Sequence, residues 1–500
     1  MKLKVKTLKL FAGRPVAILQ KNLARRLNIH VDERIMIQSG KKQVIAILDI
    51  SAPALLNQNE IVLSEEVIKS LSIKSGSYVE IMTCERPKST EYIREKIKGK
   101  ELSEEKIFAI ISDIVCNKLT EAEIAYFVSG VYINRMSMDE TYSLIKAIVN
   151  TGQKLKINGQ IIADKHSIGG IAGNRTTPVI VSICSAAGLT MPKTSSRAIT
   201  SAAGTADTIE TITKVEFSMN QIKNIVKKVN ACMVWGGSLG LAPADDKIIQ
   251  IEKLLSIDPE SQLIASILSK KIAAGATHVV LDIPCGKSAK FGKEEAVELG
   301  KKFSYFASKF GLKVKIYISK GSEPIGHGIG PVLEMQDVIA VLSQKEERPL
   351  DLEQKTLDLS GVILEMTGKA KKGEGKKMAS SILKSGKAYE KFKQIISAQN
   401  GWKEYSQKEV EKRLLLGEYK YDVLSKKKGH IKEIDNKKMN SIAKIAGCPA
   451  DKGAGIYLYK HCGDCINLDE PLMTIYSETK ERLEYAKKKF EESQPIVIVS

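Results

Sequence analysis

The stretch "IADKHSIGGIAGNRTTPVIVSICSAAG", residues 162–188, decides the fold. The apolar run 159–163 leads into an acid, a lysine, a histidine, a serine and two glycines, and an apolar segment of helical length follows from Arg175. A strand feeding a glycine-rich turn and then a helix is the repeating unit of an α/β domain. Such a turn sits beside free N–H groups and the positive end of a helix dipole, a place that favours an anion. Lys165 supplies a point charge and Ser167 a hydroxyl donor. The spacing is neither the dinucleotide G-x-G-x-x-G nor the phosphate loop G-x-x-x-x-G-K-[ST]. The competing reading is a tight strand-to-helix turn in which glycine serves only its positive φ.

A second hydroxyl-rich turn follows the next apolar strand, in "KTSSRAITSAAGTADTIE", 193–210. Ser195, Ser196, Thr200, Ser201 and Thr205, with Lys193 and Arg197, are more donors than a connecting loop needs, while helix capping would use one or two of them. The stretch 193–210, with Ala198 and Ile199 inside it, therefore reads as an oxyanion or phosphate site. A third candidate is "SIDPESQLIASILSKK", 256–271. Asp258-Pro259-Glu260 has the form of an N-cap with proline at the first helical position. Gln262, Ser266 and Lys270 then share one helix face, which either presents polar groups to a heterocyclic base or is simply solvated.

Working outward, strands "QIIAD", "ACMVW", "HVVLDIPC" and "KVKIYIS" alternate with helices beyond residue 158, the pattern of a mostly buried sheet. The intervening thirty residues from "PADDKI" read as helix that returns to an upstream bundle. That bundle is expected from "SEEKIFAIISDIVCNKL", "TEAEIAYFVSGVYINR" and "SMDETYSLIKAIVNTGQ", three helices each opened by a capping-box pattern. Residues 23–38 and 67–82 repeat one another as helix, turn and alternating strand, and interlocked half-units of this kind suggest a small β-barrel, of the double-psi type. "ERPKST", 85–90, reads as the linker. The tail from about 420 is strand-rich. The expected domains are a β-rich module at 1–86, a helical domain at 87–157 with 243–273, an α/β phosphate-binding domain at 158–242 and 274–420, and an α+β portion at 421–500.

With 500 residues the chain has room for two to four domains. No apolar run reaches the length of a membrane span and the start lacks a signal peptide's apolar region, so a cytoplasmic protein with no membrane partner is expected. The net charge of +19 suits nucleic acid or an anionic small substrate. Its lysines cluster in "GKAKKGEGKK" and "SKKKGHIKEIDNKK" without interleaved aromatics, which favours solvated surface over a nucleic-acid platform. Of eight cysteines only those in "HCGDC" have pair spacing, and a hairpin turn explains them better than a metal.

The sequence 162–210 resembles the signature of the thymidine/pyrimidine-nucleoside phosphorylase family. The likeness continues in "GLAPADDKI", "LIASILSKKIAAGATHVVLDIPCGKSAKF", "GVILEMTGKAKKGEG", "SGKAYEKFKQIISAQNG" and "PADKGAGIYLYKHCGD", covering roughly 87–495 in order. It departs where the pyrimidine enzymes place an arginine that reads a pyrimidine carbonyl, since Ile251 stands there, and where they carry "SGRGLGHTGGT" against "SSRAITSAAGT" here. With the extra N-terminal module, these departures look like an archaeal branch acting on nucleoside 5′-monophosphates.

The resemblance implies a helical domain facing a large α/β domain with substrate in the cleft, and AMP plus inorganic phosphate giving adenine and ribose 1,5-bisphosphate, with CMP and UMP as further substrates. Lys165, Ser167, Gly170, Ser195 and Thr205 are then the phosphate holders, and 196–201 with Arg197 the pocket for the 5′-phosphate. Ser266 and Lys290 would bind base or sugar, with Lys270 in support. Asp258 is the expected proton donor to the base and His166 its rival. No metal, cofactor or nucleic acid is expected; a homodimer is, with larger assemblies through the N-terminal module. The alternatives are a pyrimidine-nucleoside phosphorylase, an anthranilate-type phosphoribosyltransferase and, more distantly, a basic RNA-binding protein.

Overall fold

The computed structural model describes residues 1–157, 161–199, 201–255 and 257–499, and the chain divides into two compact units: 1–152 with 242–269, and 153–241 with 270–500.

The first unit opens with a closed six-stranded barrel of β1 (Lys2–Thr7), β2 (Val16–Gln20), β3 (Arg34–Ser39), β4 (Lys42–Ser51), β5 (Glu60–Leu63) and β6 (Tyr78–Thr83), in the order β1-β5-β2-β4-β3-β6. Helices α1 (Lys21–Arg26) and α2 (Glu65–Leu71) precede β3 and β6, as the internal repeat requires. Exchanging β1-β2-β3 with β4-β5-β6 reproduces the pairing: β1 lies parallel to β5 as β4 does to β2, and β3 lies antiparallel to β6. Inward residues from both halves, Leu3, Leu19, Ile35, Leu48, Ile61 and Ile81, fill one core that neither half would close alone.

Four helices follow rather than three: α3 (Ser89–Ile97), α4 (Glu104–Val115), α5 (Glu121–Asn134) and α6 (Met138–Thr151). The expected linker gives up Ser89 and Thr90 to α3. Thr120 with Glu123 and Ser137 with Glu140 form the predicted capping boxes, whereas Ser103 makes no side-chain cap bond. Glu140 is also spent on the buried Lys96, 2.8 Å away, which ties α6 to α3.

The second unit carries an all-parallel sheet. In chain order β7 (Ala163–Ser167), α7 (Thr176–Ala186), β8 (Met191–Ser195), α8 (Thr205–Glu210), α9 (Met219–Val229) and β9 (Ala231–Trp235) come first. The chain then returns to the first unit as α10 (Pro243–Leu255) and the start of α11 (Glu260–Ala273), two helices with the second opening at the expected N-cap Asp258-Pro259. The sheet resumes with β10 (His278–Cys285), α12 (Lys293–Lys309) and β11 (Lys313–Lys320). Strands β11, β10 and β7 pair in parallel, β8 pairs in parallel with β9, and a parallel bridge from Ile162 to Thr190 links the two sets. β7 begins later than the apolar run suggested, so Lys165, His166 and Ser167 lie on the strand's last residues and only the glycines form the turn. Helix α7 is buried on every side, against α14 (Leu350–Met366) and α16 (Lys387–Asn400), which explains its lack of a polar stripe.

After β12 (Gly328–Ile329), α13 (Pro331–Leu342), α15 (Gly375–Lys384) and α17 (Gln407–Glu411), the chain ends in two small antiparallel sheets. β13 (Tyr419–Leu424), β15 (Gly455–Leu458) and β17 (Pro471–Ser477) join β12; β14 (Gly429–Ile434), β16 (Cys465–Ile466) and β18 (Ile496–Val499) form the other. Helices α18 (Asn436–Ala446) and α19 (Lys480–Ser493) pack on them. His461 to Cys465 is a turn, closed by His461 N–H donating to Asp464 at 2.8 Å. No helix among the described residues is long and apolar enough to cross a membrane.

Candidate active site

Parallel strands direct their carboxyl ends to one edge, the place where α/β sheets bind ligands. Lys165 to Ser167 and Ser195 end β7 and β8 on that edge. Lys165 is buried, 1% exposed, and its Nζ donates to Thr176 Oγ1 at 2.9 Å, at the first residue of α7. The ammonium therefore sits at the positive end of a helix, where an anion between the two would relieve both. Asp164 meets Lys193 Nζ at 3.2 Å and Lys271 Nζ at 2.6 Å. Asp282, fully buried on β10, accepts from Ser167 Oγ at 2.7 Å and Ser319 Oγ at 2.5 Å and meets Lys355 Nζ at 3.0 Å.

Four buried lysines thus face two buried carboxylates. Burial pushes both carboxyls up, but the lysines outweigh it and hold them below their ordinary range. The lysines bear the imbalance: burial pushes Lys165 down to about 7 against the pull of Asp282, and depresses Lys193 against that of Asp164. His166 lies well below its usual value through burial and the charges of Lys271, Lys193, Lys165 and Lys270. It is neutral near pH 7 and has no acidic proton to deliver there. Ser195 Oγ and Asn174 Oδ1 are buried without a hydrogen-bond partner among the described residues, two further polar atoms at this edge.

The second turn is built differently. Arg197 meets Glu210 through both terminal nitrogens, at 2.7 and 2.8 Å, Asp207 at 3.3 Å and Glu216 at 3.1 Å, and its guanidinium lies 4.7 Å from the Trp235 ring centre. Lys452 adds a bond to Glu210, whose pKa these partners hold near 2. Arg197, expected to help hold a phosphate, has its charge met by Asp207, Glu210 and Glu216, which lie beyond the turn itself. Asp207 Oδ2 accepts from Ala198 N–H and Gly204 N–H, closing the turn on itself. A Cβ on Gly204 would lie 2.6 Å from Ser196 O, so only glycine permits the closure. Ser201 Oγ donates to Ala203 O, Ser196 and Ile199 face solvent, and Thr200 lies outside the described residues.

Arg175 joins the two turns. Its Nε donates to the buried Glu334 at 2.5 Å, while its terminal nitrogens donate to Thr205 Oγ1 and Ala203 O, each at 2.9 Å. Lys290 stands beside Gly170, its Cβ 3.8 Å from where a Cβ would be on that glycine. Of the other expected residues, Asp258 and Ser266 belong to the first unit, where Ser266 Oγ donates to Asp245 at 2.8 Å. Gln262, 3% exposed, has both ends of its carboxamide without a partner among the described residues.

Sequence reasoning missed Asp164, Asn174, Arg175, Thr176, Lys271, Asp282, Glu334 and Lys355 at this site. Asp282 was visible as a lone acid inside the apolar segment "HVVLDIPC", and Glu334 as one of two acids in "GPVLEMQDVIAVL", where an unpaired charge is too costly to bury. No group of three or more metal-ligating side chains is arranged to hold a metal among the described residues.

Three family models match in order: the helical bundle domain of a glycosyl transferase family at 90–152, its α/β domain at 159–389, and a pyrimidine nucleoside phosphorylase C-terminal domain at 430–497. An AMP phosphorylase of Thermococcus kodakarensis is 42% identical over 499 residues, all of this chain and 98% of that protein. A putative thymidine phosphorylase of Legionella pneumophila strain Paris is 41% identical over 94% of this chain and 89% of its own. Anthranilate phosphoribosyltransferase of Thermus thermophilus shares the fold, with a TM-score of 0.52 at 16% identity over 61% of this chain and 98% of that one. The family models and the relatives together define a glycosyl transferase that moves a pentosyl group. The chain belongs to the AMP phosphorylase branch of the pyrimidine-nucleoside phosphorylase family.

Proposed function

We propose that the protein cleaves nucleoside 5′-monophosphates with inorganic phosphate, converting AMP to adenine and ribose 1,5-bisphosphate. The observation that carries this reading is the surplus of buried ammonium over carboxylate at the carboxyl edge of the sheet, which leaves a place for a small anion. A phosphate oxygen attacks C1′ of the ribose, the bond from C1′ to the base nitrogen breaks, and its electron pair leaves with the base, which takes a proton. Lys165, Ser195, Thr176 and the Gly170 backbone hold the nucleophile, and Ser167 joins them by turning its hydroxyl from Asp282. Thr205 reaches it from the second turn. Fixing the attacking oxygen in place supplies much of the acceleration, and fixed positive charge lowers the cost of gathering anions under the sugar.

The self-closed turn 196–201 receives the 5′-phosphate through its hydroxyls and backbone, with Arg197 keeping it in shape. Asp258, held in its protonated form, gives its proton to the departing base and is left as a carboxylate, while His166 is neutral at working pH. Ser266 and Lys290 contact base or sugar and Lys270 supports them. Gln262 adds an unspent donor and acceptor, the pair that matches an adenine edge. We extend the proposal to CMP and UMP as slower substrates and to a homodimer.

The pyrimidine-nucleoside reading rests on a relative of nearly equal identity. Against it stands Ile251, buried on α10, which offers nothing to a pyrimidine carbonyl. Purified protein incubated with phosphate and, separately, AMP, uridine or thymidine decides between them. Free adenine with a doubly phosphorylated pentose is expected, at a rate at least about tenfold above either nucleoside; release of uracil or thymine with no adenine overturns the proposal.

A further inference from the structure

Two alanines, Ala172 after the first turn and Ala202 in the second, are completely buried and belong to the core of the C-terminal portion rather than to that of the sheet. Their N–H groups are met by two side chains one helical turn apart on α18. Ala172 N–H donates to Asn436 Oδ1 at 3.0 Å, and Ala202 N–H donates to Asn440 Oδ1 at 2.8 Å. The other ends of the two carboxamides differ. Asn436 Nδ2 donates to Ser288 Oγ at 2.9 Å and to Gly321 O at 3.3 Å, both in loops that leave the sheet's carboxyl edge. Asn440 Nδ2 donates to Gly170 O at 3.3 Å. One turn further on, Lys444 Nζ donates to Ile199 O at 3.3 Å. Asn436 and Asn440 are 0% and 4% exposed, and residues spaced by four share a helix face.

We infer that Asn440 is a positioning residue that fixes the spacing between the two anion-binding turns, its oxygen holding the second turn at Ala202 while its nitrogen holds the first at Gly170, and that Asn436 fixes the first turn alone. The inference rests on the reading of the two turns given above. Neither side chain is free to trade its partners: a carboxamide has an acceptor at one end and donors at the other, and each end here faces a group of the matching kind. Buried backbone groups left without such partners are costly, so the turns hold this arrangement only while α18 is in register. Asp207 closes the second turn and Arg175 ties the two turns together from within the sheet domain; Asn440 adds a second tie between them from α18. A shift of about an ångström between nucleophile and substrate is enough to slow a reaction roughly a hundredfold.

Three proteins are compared as full chains: the wild type, Asn436→Leu and Asn440→Leu, with the serine variants at both positions standing in should leucine prevent folding. The KM for phosphate and the KM for AMP are measured separately, with sulfate affinity by calorimetry and melting temperature alongside. Asn440→Leu is expected to raise both KM values at least fivefold, whereas Asn436→Leu raises that for phosphate at least fivefold and leaves that for AMP within twofold. Sulfate affinity falls at least fivefold in both. Lowered melting temperatures with unchanged KM values and sulfate affinity overturn the inference, as does an identical pattern for the two variants. Absence of AMP turnover in the wild type refutes the proposed reaction instead; the sulfate titration still reads the hold on the first turn, and unchanged sulfate affinity then refutes the positioning role as well.

Discussion

The two turns at the sheet's carboxyl edge use the same residue types to opposite ends. Around the first, Lys165, Lys193, Lys271 and Lys355 face Asp164 and Asp282 among the described residues, all six side chains nearly out of water. Around the second, one arginine meets three carboxylates, and with a lysine from the C-terminal portion the carboxylates still outnumber the cations by one. The first turn is short of negative charge and the second is not. Donor-rich sequence therefore says where polar groups gather, while only the pairing says which of them remain available to a ligand.

If both turns serve to bind anions, proton transfer lies outside them, and the sharpest way to break the comparison is to remove the acid. Asp258→Asn is expected to lower kcat by about 10²–10⁴, the usual contribution of a general acid, with the KM for AMP little changed. His166→Gln, which replaces a group already neutral, should cost less than about tenfold in kcat. Steady-state kinetics of both variants check this; the reverse ranking would return the acid's role to the first turn.

Next in size is the first turn's charge. Lys165→Met keeps the buried stem and removes the ammonium, and kcat/KM for phosphate should fall by about 10²–10³, the cost of losing one fixed charge aimed at an anion. The same measurement with AMP varied at saturating phosphate should change far less. Equal losses for both substrates would show that the two turns do not divide the anions between them.

The division was only half legible beforehand. The strand, the glycines and the helix of residues 163–186 follow from local pattern, as do the barrel repeat and two of the three capping boxes, because each depends on neighbours within a few residues. The register of β7 did not: Asp164 and Lys165 look like turn residues until Lys271, Asp282 and Thr176 are brought to them across the sheet. Arg197 looked like an anion ligand because Glu210 and Glu216 lie on segments whose approach the local sequence does not encode. The break between α10 and α11 was legible as the N-cap Asp258-Pro259, since proline disfavours helical backbone in the residue before it.

A pH titration tests the imbalance with a smaller effect. With Lys165 near 7 in the free protein, an anion that needs the ammonium charged must bring a proton with it at higher pH. Sulfate does not titrate in this range, so its inhibition constant against phosphate should be flat below pH 7 and rise about tenfold per unit above it. The sign is fixed by the direction of the shift: a lysine lowered by burial loses its charge early, and binding weakens as pH rises. A constant that stays flat to about pH 9 would mean that Lys165 keeps its ordinary basicity and that the first turn's charge is balanced after all.

The smallest effect belongs to the second turn, and it separates framework from ligand. Arg197→Ala removes the one cation shared by Glu210, Asp207 and Glu216, of which Asp207 is buried and must also hold Ala198 N–H and Gly204 N–H. Since Arg197 and Glu210 are each about a third exposed, water screens part of the loss, and the cost should be about 1–2 kcal/mol, below the roughly 3–5 of a fully buried pair. A framework role predicts a melting temperature lower by about 2–4 °C, with the KM for AMP raised only two- to threefold as the turn loosens. A direct bond from guanidinium to the 5′-phosphate predicts the opposite weighting, a KM for AMP raised about a hundredfold with little change in stability. Because the two roles trade stability against KM in opposite proportions, melting and kinetics on this single variant tell them apart. The carboxylates already on Arg197 favour the first.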